Sequence, residues 1–206
     1  MNNTFGIDKF VVWCESDDEK LPDVSFVPPM TRRRMTDLQK IAVGLASRVV
    51  PDNTEYQVVF ASRYGEWRQT IKLIEQFHES GEMSPAGFSN SVHNAAVGAF
   101  SVLSKNKNSY TSIAAGNRTL ESGILSALMS PKPVLFVFAE EKSPDMYNDF
   151  LDAPVNAHGM AFIMNKNGII KWSPVHNDCV PLTFDAMANF LEQGGQLITS
   201  CWEMNK

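Results

Sequence analysis

Uninterrupted apolar runs in "YQVVFAS", "PVLFVFA" and "GMAFIMN" constrain the fold of this chain more than any other feature of its sequence. A half-exposed strand alternates apolar with polar residues, so the run Val58, Val59, Phe60, Ala61 predicts a strand covered on both faces. Such strands need helices on either side, and the intervening segments supply them. After Thr36, which with Gln39 forms a candidate capping box, Leu38, Ile41, Ala42, Leu45, Ala46 and Val49 recur at helical spacing until Pro51. Further helices are predicted over Thr70–Phe77, over Val92–Leu103 with small residues on one face, over Asn117–Met129 and over Thr183–Glu192, the last stopping at Gly194 and Gly195. Lys9–Trp13 and "SYTSIAAG" complete a set of five strands, and "LPDVSFVPPM" is too rich in proline to be a helix. The alternation predicts an α/β protein with a mostly parallel five-stranded sheet covered by helices. No repeat or low-complexity linker divides residues 1–206, which read as a single domain.

Composition narrows the function classes. With 44% hydrophobic and 20% charged residues, 206 residues can bury a core without disulfides or metals. The net charge of −5 gives no broad basic surface for nucleic acid. Cys14, Cys179 and Cys201 are odd in number and far apart, which fits reduced thiols and neither a disulfide framework nor a metal site. His78, His93, His158 and His176 lack metal-ligand spacing, so no metal is expected. The start "MNNTFGIDKFVVW" has no signal-peptide pattern and no apolar run is long enough for a membrane span, so a soluble cytoplasmic protein is expected.

The turn in "TSIAAGNRTLESG" is the natural place for a nucleophile, because the N–H groups and positive dipole end of a following helix would stabilise a thiolate or oxyanion. It carries Gly116, Asn117 and Arg118 instead, and an amide forms no acyl-enzyme at neutral pH. Asn117 is expected to cap the helix. Thr119 and Ser122 are the remaining hydroxyls, and neither has a sequence-adjacent base. Arg32, Arg33 and Arg34 precede a predicted helix, where positive charge opposes the macrodipole. Two readings stay open for them: a solvated or salt-bridged surface, and a contact to phosphate or to an acidic protein.

"SPAGFSNSVHNAAVGAFSVL", followed by "TSIAAG" and an apolar helix, resembles the N-terminal half of β-ketoacyl synthases. Together with "LPDVSFVPPMTRRRMTDL", "VVFASRYGEW" and "VLFVFAEE", it is most similar to the short chain-length-factor-type proteins that accompany ketosynthases in aryl polyene pigment clusters. The resemblance runs from about Leu21 to Met164 and implies a single N-terminal-type half of the thiolase-like fold. Aligning Asn94 and Gly98 with the family's Asn-x-x-x-Gly pattern puts Asn117 at the position of the catalytic cysteine. The chain also stops near the end of the first repeat, and His176 carries no family role. The resemblance therefore implies a non-catalytic subunit that pairs with an active β-ketoacyl synthase as a heterodimer and needs no cofactor of its own. The partner would use the phosphopantetheine-bound acyl carrier protein. Residues Tyr110, Thr111, Ser112, Ile113 and Ala114 would form the edge strand of that dimer, and Gly87 and Phe88 would line the partner's acyl tunnel unless Phe88 simply packs in the core. Arg32, Arg33 and Arg34 would meet the acidic carrier. Two rival readings are an enzyme in its own right, by acyl transfer through Thr119 or malonyl decarboxylation assisted by Asn117, and a carrier-protein docking module.

Overall fold

The computed structural model describes residues 4–50, 55–174, 181–199 and 202–206. Their elements are, in chain order, β1 (Thr4–Cys14), α1 (Pro29–Arg32), α2 (Asp37–Val49), β2 (Gln57–Ala61), α3 (Trp67–Ser80), α4 (Pro85–Ser89), α5 (Ala95–Ser104), β3 (Tyr110–Ile113), α6 (Thr119–Met129), β4 (Val134–Glu140), β5 (His158–Pro174), α7 (Phe184–Gln193), β6 (Gln196–Ile198) and β7 (Trp202–Asn205). Short 3-10 turns occupy Gly116–Arg118 and Asp145–Phe150.

The strands form one seven-stranded sheet in the order β3-β2-β4-β5-β7-β6, with β1 also paired to β5. The α/β class stands, but the expected mostly parallel five-stranded sheet does not. Only β3, β2 and β4 are mutually parallel, and every pairing made by β5, β6, β7 and β1 is antiparallel. The reason is physical: an apolar run reports cover on both faces and is silent about strand direction. β5 meets that condition although antiparallel to both neighbours, because Met160 and Phe162 pack into the core on one face while Ala161 and Ile163 pack into the core on the other. β1, unlike the apolar runs of the other strands, is only partly covered, and it exposes Asp8, Lys9 and Phe10. β6 and β7 span only three and four residues, too short for a periodicity to show.

The pleat divides each apolar run between two cores. Val58, Phe60, Leu135 and Val137 face α2 and α5, packing with Leu38, Ile41, Leu45 and Ala96. Val59, Ala61, Phe136 and Phe138 face α6 and α7, packing with Ile124, Met187 and Phe190. The α6 approach requires Gly123: a Cβ there would lie 2.8 Å from Ala61 Cβ and 2.9 Å from Phe136 Cε2. At the start of α2, Thr36 Oγ1 accepts from Gln39 N at 3.1 Å as the capping reading expected. The reciprocal half of that box is absent, because the Gln39 side chain donates to Asn90 Oδ1 at 3.3 Å instead.

Candidate functional site

The carboxyl ends of β2, β3 and β4 meet at a cleft of about 360 Å³, the position where parallel strands of an α/β sheet present their connecting loops. Arg63 and Tyr64 form one wall, Gly116 and Asn117 a second, and Phe138, His158 and Phe184 a third.

The first wall is held from below. Ser62, fully buried after β2, donates from Oγ to Glu140 Oε2 at 3.1 Å and accepts from Gly65 N at 2.9 Å. Glu140, at the end of β4, also accepts from the backbone N–H of Arg63 and, at 3.5 Å, from that of Tyr64. Burial pushes the Glu140 carboxyl up to about 7, while these donors favour its ionised form and work against that rise. Gly65 has φ +58°, and a Cβ there would meet His93 Cδ2 at 2.8 Å. The same imidazole donates from Nε2 to Ser62 O at 2.8 Å, which fixes its tautomer. The loop therefore projects Arg63 and Tyr64 outward, with the guanidinium 4.8 Å from the Tyr64 ring centroid and Tyr64 stacked on Trp67 at 4.3 Å.

The second wall is the strand-to-helix turn. Gly116 takes φ +57° and opens the 3-10 turn. Asn117 was expected to cap α6 and does not; no side-chain cap is made by the residues at either the 3-10 turn or the α6 start. Thr119 closes the turn instead, donating from Oγ1 to Gly116 O at 2.7 Å and accepting from Ala115 N at 2.9 Å. Its hydroxyl is committed to backbone and the residue is 2% exposed, so it is no nucleophile in this arrangement. Asn117 stays exposed at the cleft, and Arg118 pairs with Glu121 at 3.8 Å.

On the third wall, His158 donates from Nδ1 to Asn156 O at 2.8 Å and lies edge-on to Phe184 at 4.7 Å. Burial lowers its basicity, which favours the neutral ring. Cys14 lies in the hollow beside this wall, and burial first, then the nearby Asp185 charge, pushes its thiol up and away from thiolate. Among the described residues no group of three or more His, Cys, Asp and Glu side chains is placed to hold a metal, and no helix is long and apolar enough to cross a membrane.

The sequence reading found Gly116, Asn117 and Arg118 but missed Arg63, Tyr64, Glu140, His158 and Phe184. Their signal was positional: they flank the apolar runs or open α7, and no motif marks them. The other expected residues lie elsewhere. Tyr110 and Thr111 are exposed on β3, Ser112 and Ile113 are half-buried, and Ala114 follows the strand. Among the described residues β3 pairs with β2 alone, so it is a free sheet edge. Phe88 is 57% exposed, which excludes core packing. Gly87 turns the other way: its carbonyl accepts from Gln69 Nε2 at 3.2 Å and its Cα lies against Leu73. Arg32 ends α1, with Arg33 and Arg34 exposed after it, and none of the three forms an ion pair among the described residues. His176, Cys179 and Cys201 lie outside the described residues.

The family model described as "Beta-ketoacyl synthase, N-terminal domain" matches residues 11–197. Among solved structures, a chain from the ketosynthase (ApeO) in complex with its chain length factor (ApeC) from Xenorhabdus doucetiae superposes with a TM-score of 0.80 at 19% identity, covering 98% of this chain and 99% of that one. A chain of the ishigamide ketosynthase/chain length factor gives 0.56 at 14% identity, over 71% of this chain and 51% of that one. A β-ketoacyl synthase from Burkholderia phymatum gives 0.56 at 13%, over 81% and 54%. This chain thus spans about half the length of the last two and nearly all of the first. No curated protein matches the sequence. At these identities the likeness speaks to fold, and the fold is the thiolase-like one.

Proposed function

Because the chain belongs to the β-ketoacyl synthase family through that N-terminal domain, we propose that it is a non-catalytic, chain-length-factor-type subunit which pairs with an active β-ketoacyl synthase in aryl polyene or related polyketide synthesis. One observation carries this reading. The turn between β3 and α6, where the family resemblance puts the nucleophile, presents an exposed Asn117 amide, and the adjacent Thr119 hydroxyl is bound to backbone on both sides. Acyl transfer needs an ionisable or base-activated nucleophile, and the nearby Cys14 thiol has been made less acidic.

The full-length superposition on a chain of a ketosynthase–chain length factor complex supports the same reading. So does the free edge of β3, whose outward N–H and C=O groups a partner strand would satisfy. The partner supplies the cysteine, the histidines and the phosphopantetheine-bound carrier; this subunit needs no cofactor and works in the cytoplasm. Phe88, exposed on α4, would enter the partner's acyl tunnel and limit chain growth, a role its exposure leaves open. Arg33 and Arg34, exposed, and the half-buried Arg32, all without ion pairs among the described residues, would steer an acidic carrier.

Co-expression with a candidate partner ketosynthase, followed by sizing, tests the reading. A stoichiometric heterodimer that elongates acyl chains is expected, with no acyl transfer to the single chain from a labelled carrier. A monomer that ignores the ketosynthase, or an acylated single chain, would overturn it.

A further inference from the structure

The end of the sheet opposite the cleft contains a larger hollow, about 650 Å³, whose origin lies in the path of β5. Up to Met164 this strand is paired with β4, and from Lys171 it is paired with β7. Between them its pairing with β1 slips: Gly6 stands opposite Asn165, yet the preceding Phe5 stands opposite Ile170. The extra residues bulge outward over β1, where a Cβ on Gly6 would meet Asn167 O at 2.7 Å. The divergence of β5 from β4 leaves a space that the last turn of α6 only partly roofs.

The lining of that space is apolar, with cations beside it. Leu125, Leu128 and Met129 come from α6, and Met164 and Trp172 from β5. Met129 is 70% exposed, a large apolar side chain beside an open hollow. Lys132 and Lys166 also line it, and neither has an ion pair among the described residues. Lys166 donates to Leu128 O at 3.1 Å, which uses one of its three N–H donors, and no carboxylate among the described residues lines the hollow. Apolar walls of this volume with a few convergent polar groups are the usual build of a small-molecule site.

We propose that this hollow binds an aliphatic monocarboxylate of medium chain length, with its alkyl chain against Leu125, Met129, Met164 and Trp172 and its carboxylate between Lys132 and Lys166. The anion is selected by charge complementarity: among the described residues the two lysines are the only charged groups of the lining, and both are positive. The site is independent of the cleft and of the subunit reading, since it lies at the other end of the strands and needs no partner chain.

Titration of the full-length protein with decanoate tests this, read by calorimetry and by the methyl resonances of its methionines. Saturable one-to-one binding is expected, with shifts at Met129 and Met164. Lys132→Met combined with Lys166→Met should weaken decanoate about tenfold or more at low salt, and 1-decanol should bind more weakly than decanoate. Leu125→Trp, which fills the space, should abolish binding while circular dichroism and the melting temperature of each variant confirm folding. Absence of saturable binding, shifts confined to other methionines, or equal binding of decanol and decanoate unaffected by the lysine changes would each overturn the proposal.

Discussion

Ser62 and Glu140 join the ends of two neighbouring strands through a 3.1 Å hydrogen bond, across 78 residues of sequence. The bond matters because the same carboxylate collects the backbone N–H groups of Arg63 and Tyr64, so one side chain sets the shape of the cleft wall. A glutamine at this position keeps the volume but replaces one acceptor oxygen by a donor. Glu140→Gln should therefore leave a buried donor facing donors and destabilise the protein by about 1–3 kcal/mol. Urea denaturation at pH 8.5, where the Glu140 carboxyl raised to about 7 is ionised, measures it, and hydrogen exchange should speed up first at Arg63 and Tyr64.

Three buried carboxyls share this neighbourhood, and together they set a pH dependence. Burial raises Glu66 to about 8 and Glu140 and Glu141 to about 7, all above the usual value of 4.5. An acid raised in the folded state binds its proton where the unfolded chain has already lost it. The stability these groups confer is fully present below about 4.5 and falls as pH rises through the folded values of about 7 to 8. Glu66→Gln keeps the side-chain oxygen that accepts from Thr36 Oγ1 at 3.0 Å and removes the titration. The drop in melting temperature between pH 5.5 and 8.5 should be smaller in the variant than in the parent, whatever constant cost the amide introduces. An equal drop in both would show that Glu66 is not a source of the slope.

The elements read correctly from sequence are those whose period is set by a core they touch on one side. α2 is an example, with Leu38, Ile41, Leu45 and Val49 all buried. α6 is another, with Leu120, Ile124 and Leu128. The apolar runs of β2 and β4 were equally legible, since both faces are covered. The direction of β5 was not, because Met160 to Met164 would be just as apolar in a parallel strand. α3 was found but shortened: its only buried residue is Leu73, and Ile74 and Phe77 are exposed, so its ends carry no core signal. In the site, the absence of a thiol at Asn117 could be read directly. The Arg63, Glu140 and His158 contributions could not, because they come together only when three strand ends share one edge.

Close packing at Gly123 gives a sharper test of how α6 sits on the sheet. A methyl group there would approach Ala61 Cβ to 2.8 Å and Phe136 Cε2 to 2.9 Å, and Phe136 is itself fully buried. Alanine gains roughly 1 kcal/mol of helix propensity over glycine, while forced overpacking costs about 1–3 kcal/mol. The second term should win, so Gly123→Ala is expected to lower stability. Stabilisation on urea denaturation would mean that α6 can move off β2 and β4 without loss.

The free edge of β3 offers a test that separates folding from assembly. Ser109 O and Ile113 O accept from Val58 N and Ser62 N, so the odd-numbered residues point their backbone groups at β2. By the alternation of a ladder, Tyr110 and Ser112 point theirs outward. Proline at 112 removes only an outward donor, a position where edge strands tolerate it. Ser112→Pro should therefore keep the melting temperature of the isolated chain within a few degrees and abolish co-purification with the ketosynthase. Persistence of the heterodimer would move the contact away from β3.

Phe88 tests the chain-length part of the proposed role separately from assembly. It stands on a five-residue helix whose partner in packing is α3, anchored by Gly87 against Leu73 and by the Ser84 hydroxyl accepting from Gly87 N at 3.2 Å. Those contacts hold the backbone and leave the Phe88 ring 57% exposed, so truncating it creates no core cavity. Phe88→Ala should therefore fold and assemble as the parent does. If the ring enters the partner's tunnel, removing it lengthens the space available to the growing chain, and the reconstituted heterodimer should release products shifted to longer chains. Mass analysis of those products decides it. An unchanged distribution from an intact heterodimer would remove the gating role while leaving the assembly role in place, because only the former depends on where the Phe88 ring goes.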